Sequence, residues 1–187
     1  MRAFFIVGCL ALIAMPAIAA QENDAEKMRF VLMLLREDVP FTEGISSMLD
    51  EFVQKGRIPP NVSLEMKEVI SPNDYLKALG AFYVTKLSPS EIDELLEYFR
   101  ATANLALYRE LVDAHTQFEG QALEHRRAEL AARDPVAWAA AAKFSQSKAL
   151  ANFLRLRKET DPIKVKCWVD AISAAQKTVR ERRNAGN

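Results

Sequence analysis

The sequence predicts an all-α protein, a multi-helix bundle of about six or seven helices with no sheet. Three observations carry that expectation. Four dipeptides, Ser71-Pro72, Ser88-Pro89, Asp134-Pro135 and Asp161-Pro162, each put a capping side chain directly before proline. A Ser or Asp oxygen at the N-cap accepts an otherwise orphaned backbone N–H, and proline at the first helical position has no N–H to leave unpaired. Apolar residues recur three and four apart, as in Ile45, Met48, Leu49 and Phe52, which draws one stripe along a helix. No stretch shows sustained apolar and polar alternation with β-branched enrichment, the signature of a strand.

The elements follow in order. Ala25–Glu37 and Thr42–Lys55 are expected as the first two helices, with GRIPPN (Gly56 to Asn61) as the clear internal loop. Leu64–Val69 and Pro72–Leu87 come next, the latter striped by Leu76, Leu79 and Tyr83. Pro89–Arg133 begins with a capping box, Ser88 and Glu91, and carries Ile92, Leu95, Leu96 and Phe99, then Tyr108, Leu111 and Val112. That stretch is long for one globular helix, and Gly120 marks a place for a kink or break. Pro135–Glu159 is alanine-rich at its start, and alanine is both the best helix former and small enough for close helix approach. Pro162–Arg183 closes the chain with Val165, Trp168, Val169, Ile172 and Val179 as its apolar set.

The first residues read differently. In MRAFFIVGCLALIAMPAIAA, Arg2 is a short positive start, Ala3 to Met15 is uncharged and apolar, and Ala17-Ile18-Ala19 offers small residues where a signal peptidase reads. A secretory signal peptide over residues 1–19 is expected, with a periplasmic mature chain. The 187 residues less 19 leave 168, enough for one domain with a real core. The division is then 20–133 as a helical domain and 134–187 as a basic C-terminal helical pair packed on it. Cys9 falls in the leader and Cys167 stands alone, so an internal disulfide is excluded for the mature chain. The longest later apolar run, Phe30 to Leu35, is far short of the roughly 20 residues a spanning helix needs.

Charge is balanced overall but not locally. Ala20 to Ala142 holds 13 Lys and Arg against 21 Asp and Glu, or −8, and Lys143 to Asn187 holds 11 against 4, or +7. Such asymmetry marks either internal complement between acidic and basic helices or a basic face for an anionic partner.

Phe82-Tyr83, Ser88 with Glu91 and Ile92, and the pair Tyr98-Phe99 form a pattern that resembles the core of a family of exported bacterial helical proteins, the domain of unknown function 2059. The resemblance covers about Glu26 to Phe118. The family follows its aromatic pair with a turn of Ser-Pro-x-Gly type. Here Ala101-Thr102-Ala103-Asn104 is compatible with continuous helix. The resemblance implies a helical exported domain and carries no catalytic residue, cofactor or metal ligand.

Candidate chemistry is sparse. His115, one turn before Glu119, lies on the stripe of Tyr108, Leu111 and Val112, and two ligands fall short of the three or four that a zinc site needs. Cys167 has Lys164 and Lys166 near it, and cations lower a thiol pKa, but catalysis also requires an oriented base. Glu91, Asp93, Glu94 and Glu97 share the first turns of one helix, where acids suit the macrodipole, rather than facing each other across a cleft. Glycine-rich phosphate loops, nucleophile elbows and zinc-helix motifs are absent. Lys177, Arg180, Arg182 and Arg183, in the last helix, are the candidate partner-binding residues. The expected function is therefore a non-enzymatic interaction with a protein or an anionic envelope component, without nucleic acid or cofactor. The competing expectation is an envelope enzyme of cell-wall hydrolase type, with a site built from scattered acids and His115.

Overall fold

The computed structural model describes residues 22–185, so the expected signal peptide, its cleavage point and Cys9 lie outside the described residues. Among the described residues there are ten α-helices and no strand. They are α1 (22–34), α2 (Asp38–Gln54), α3 (Pro60–Val69), α4 (Asn73–Val84), α5 (Pro89–Arg100), α6 (Thr102–Gln117), α7 (Gly120–Arg133), α8 (Pro135–Ser145), α9 (Lys148–Arg157) and α10 (Asp161–Ala185). The all-helical class is as expected, and the helix number is higher.

The extra helices come from breaks inside two of the expected stretches, one of them already marked by Gly120 as a place for a break. Pro89–Arg133 is three helices. Ala101 turns extended (φ −71°, ψ 114°) between α5 and α6, and Phe118 and Glu119 do the same between α6 and α7. The run Ala101–Asn104 is thus a corner and not helix throughout; the Asn104 side-chain amide donates to the Tyr98 carbonyl at 3.3 Å and holds it. Pro135–Glu159 breaks at Gln146-Ser147, where the Ser147 hydroxyl accepts the Leu150 N–H at 3.1 Å and starts α9.

Two helices begin four residues earlier than expected, for one reason. Pro40 lies within the first turn of α2 and Pro60 is the first residue of α3. The first four N–H groups of a helix have no intrahelical partner, so proline costs nothing there. The turn between α1 and α2 is a Schellman closure. Arg36 takes a left-handed conformation (φ +58°), Glu37 N–H donates to Leu32 O at 3.0 Å, and Arg36 N–H donates to Met33 O at 3.0 Å.

The expected caps hold at two of four sites. Asp134 accepts the Ala137 N–H at 2.9 Å. Ser88 forms the full capping box: its hydroxyl accepts the Glu91 N–H at 3.4 Å, and its own N–H donates to the Glu91 carboxylate at 2.8 Å. Asp161 is instead the first residue of α10. Ser71 accepts the Asn73 N–H at 3.3 Å, one residue before α4 begins, where Pro72 holds the cap position.

The Ser88 box reaches beyond α5. Glu91 also accepts from Asn152 of α9 at 2.6 Å, with Lys148 at 3.7 Å. The two Ser88 hydrogen bonds, then Asn152, hold the Glu91 carboxyl down to about 2. A carboxyl depressed on folding contributes stability that is present above its ordinary range and is lost as pH falls toward its native value. Stability should therefore decline between pH 4.5 and about 2, and Glu91→Gln should flatten that part of the curve. Ser88→Ala is expected to lower stability by about 1 kcal/mol in thermal unfolding, and an unchanged midpoint would show that Ser88 is no cap.

One core joins the N-terminal and C-terminal helices. Met28, Leu32, Ile45, Leu49, Leu79, Ile92 and Leu95 are buried in it together with Phe153 and Leu156 of α9 and Val179 of α10. Aromatic rings make the joints. Tyr83 of α4 stacks on Phe153 of α9 with centroids 5.0 Å apart, and Tyr98 of α5 stacks on Phe144 of α8 at 3.8 Å. A smaller cluster of Leu107, Leu130 and Ala137 ties α6, α7 and α8, with Trp138 and Ala141 against it.

Glycine permits two close crossings. A Cβ on Gly80 of α4 would stand 3.0 Å from the Ala25 carbonyl of α1, and one on Gly44 of α2 would stand 2.7 Å from the Trp168 ring of α10. The α2–α10 crossing decides which face of α10 is inside. Trp168, Ala171, Ala175 and Val179 turn inward, while Val165 and Val169, expected on the buried stripe, are 56% and 58% exposed.

Candidate functional site

The candidate basic site lies on the last turns of α10, where Lys177 falls between the packed residues Ala175 and Val179 and the three arginines follow them. At about 100° per residue, Lys177, Arg180 and Arg183 follow one another along a ridge, and Arg182 points to the other side of the helix. All four are exposed. The structure does not leave them equally available. Arg183 makes a two-pronged pair with Glu65 of α3, Nη2 to Oε1 at 2.6 Å and Nε to Oε2 at 3.2 Å. Arg183, with a smaller contribution from Arg182, holds the Glu65 carboxyl below the usual carboxylate range, and Glu65 raises the Arg183 guanidinium in return. Lys177 stands 3.9 Å from Glu181 on its own helix, an open and weak pair. The outward basic ridge is therefore Lys177 and Arg180.

Other charges of the basic segment also serve the fold. Arg157 Nη2 meets the buried Glu37 carboxylate at 2.6 Å, and Lys148 approaches Glu91. Internal complement between acidic and basic helices thus accounts for part of the asymmetry.

The remaining sequence candidates do not converge. His115 is exposed, away from the buried face of α6 formed by Leu107 and Ala114, and its Nδ1 lies 2.8 Å from the Leu111 carbonyl. The expectation of an apolar seam fails because α7 covers the neighbouring arc of α6. The acids of α5 also part company: Glu91 is in the capping box, Asp93 pairs with Lys27 of α1 at 2.7 Å, and Glu94 and Glu97 do not share its surroundings. Cys167 is half-buried, and burial, followed by the nearby Asp170, pushes its thiol up. Lys166 does lower it, but Lys166 is paired with Asp170 and burial outweighs its effect, while Lys164 lies 4.0 Å from Asp161.

A cluster that local reading misses lies in the groove between α6 and α7. Glu110, Asp113, His125, Arg126 and Glu129 line a cavity of about 540 Å³. Arg126 bridges Glu110 at 3.2 Å and Glu129 at 2.9 Å, Arg133 also holds Glu110, and His125 lies 3.3 Å from Glu129. Glu110 and Glu129 are engaged in ion pairs, and among the described residues no group of three or more His, Cys, Asp or Glu is placed to hold a metal ion. The sequence signals for this cluster are the local spacings of Arg126 and His125 to Glu129, three and four residues apart; the contact with Glu110 requires the packing of α7 on α6.

No helix of the described residues is long and apolar enough to cross a membrane. No family model, curated protein or solved structure matches the chain.

Proposed function

We propose that this chain is an exported, non-enzymatic helical interaction protein of the bacterial envelope, acting through its basic C-terminal helix on a protein or an anionic envelope component. The observation that carries this reading is the outward ridge of Lys177 and Arg180 on α10, the longest helix among the described residues. The signal-like residues 1–19 and the resemblance of Glu26–Phe118 to an exported family support the envelope as its place. Exposed charges steer an oppositely charged partner and are screened beyond a Debye length of roughly 8 Å in physiological salt.

Capture from the envelope fraction tests the proposal. A partner held by the ridge should dissociate as salt rises, and should be lost when Lys177, Arg180, Arg182 and Arg183 become glutamine. Because Arg183 is engaged with Glu65, the double variant Lys177→Gln with Arg180→Gln is the cleaner one: its thermal midpoint should match the parent while binding falls. Full, salt-independent binding by either variant would sink the proposal. Mass spectrometry of the exported protein should show a chain beginning at Ala20, and an intact N-terminus in the cytosol would remove the envelope from the reading.

A further inference from the structure

A second candidate site lies along α10, from Ile163 to Thr178. Between it and α4 there is a cavity of about 540 Å³, within the range of small-molecule pockets. Its floor is the stacked pair Phe41 and Tyr75, with ring centroids 4.3 Å apart and planes 9° from parallel. Alanine explains why the space is open. α10 presents Ala171, Ala174 and Ala175 to it and α4 presents Ala78, side chains too short to meet across the gap. The remaining wall includes Ile70, Ile163 and the Cys167 thiol.

The polar groups in the lining are few and unequal. Besides the Tyr75 hydroxyl they are Ser71, Asp74, Lys166, Asp170 and Thr178. Lys166 is paired with Asp170, and Lys164, nearby on α10, stands against Asp161. Among the described residues Asp74 has no ion pair, so the lining carries one uncompensated negative charge. An apolar cavity with a single uncompensated carboxylate selects a ligand with an apolar body and one positive end.

We propose that this cavity binds a small hydrophobic amine, its apolar body against the Phe41–Tyr75 pair and the alanine wall and its ammonium group at Asp74. Three probes share one ring and one chain and differ only in the head group: phenylbutylamine, phenylbutanol and phenylbutyrate. Titration calorimetry with the full chain reads affinity. Alkylation of Cys167 by iodoacetamide, followed by mass spectrometry of the Cys167 peptide, reads location, and the peptide distinguishes this thiol from Cys9. The amine should bind about fivefold more tightly than the alcohol, the gain expected of one partly exposed ion pair, and the carboxylate should bind least. The bound amine should slow Cys167 alkylation. Asp74→Asn, a change at an exposed position, should erase the preference for amine over alcohol and leave the alcohol's affinity as it was. Ala174→Phe should fill the cavity and abolish binding of all three; if that variant fails to fold, Asp74→Asn decides alone. Equal binding of the three probes, binding that leaves Cys167 as reactive as before, or no binding overturns the proposal. None of these outcomes bears on the basic ridge, whose own test is the Lys177 and Arg180 pair of substitutions.

Discussion

Phe99→Ala should cost about 3–5 kcal/mol of stability, the range for removing a fully buried aromatic ring from a core that cannot collapse around the void. Phe99 has no exposed surface. Its ring packs edge-on against Tyr98 at 5.1 Å, Tyr108 at 5.0 Å and Phe144 at 5.6 Å, so a single side chain is shared by α5, α6 and α8. Three helices converge on that ring, and none can move inward without pulling away from its other neighbours. For a chain of this size each kcal/mol shifts the thermal midpoint by about 2–4 °C, which puts the expected drop on the order of 10 °C. Urea unfolding should show the midpoint falling with an unchanged slope. Phe99→Leu, which retains most of the volume, should cost much less. A loss below about 1 kcal/mol for the alanine variant would mean that the three rings close over the gap.

A chain ending at Arg133 should lose cooperative unfolding altogether. The division into residues 20–133 and 134–187 follows composition, yet the second part supplies Phe144, Ala149, Phe153, Leu156, Ala175 and Val179 to the main core. Burying each large apolar side chain contributes about 1.5–3 kcal/mol, and four of these together rival the 5–15 kcal/mol that separates a typical folded domain from its unfolded state. Their removal would also uncover Tyr83 and Tyr98, which stack on Phe153 and Phe144. The shortened chain should keep helical circular dichroism, bind an apolar dye and melt without a sharp transition. A single sharp transition would show that residues 20–133 fold as a unit and that α8 to α10 merely dock.

What was legible in the sequence is what local chemistry decides. The helical class, the capping box of Ser88 and Glu91, the Asp134 cap and the buried positions Ile45, Leu49, Leu79 and Leu95 all depend on partners within one or two turns. A cap oxygen finds its N–H two or three residues away, and a stripe of period 3.6 needs no knowledge of what covers it. The break before Gly120 was marked by that glycine, but those at Ala101 and Ser147 were not legible, because Ala and Ser are both compatible with helix there. The chain turns at those points so that Phe99, Tyr108, Leu130 and Phe144 can reach shared clusters, a gain available only after collapse. The face of α10 was legible only in part for a related reason. Trp168, Ile172 and Val179 pack inward as expected, but area alone also favours burying Val165 and Val169. The tertiary structure turns Ala171 and Ala175 inward in their place, because a close crossing at Gly44 rewards side chains that fit the available space over those that are only hydrophobic. The basic site divides in the same way. Lys177, Arg180, Arg182 and Arg183 are visible as a cluster in the sequence, but Glu65 lies 118 positions from Arg183, and only the packing of α3 on α10 determines which cations are committed to the fold and which face outward.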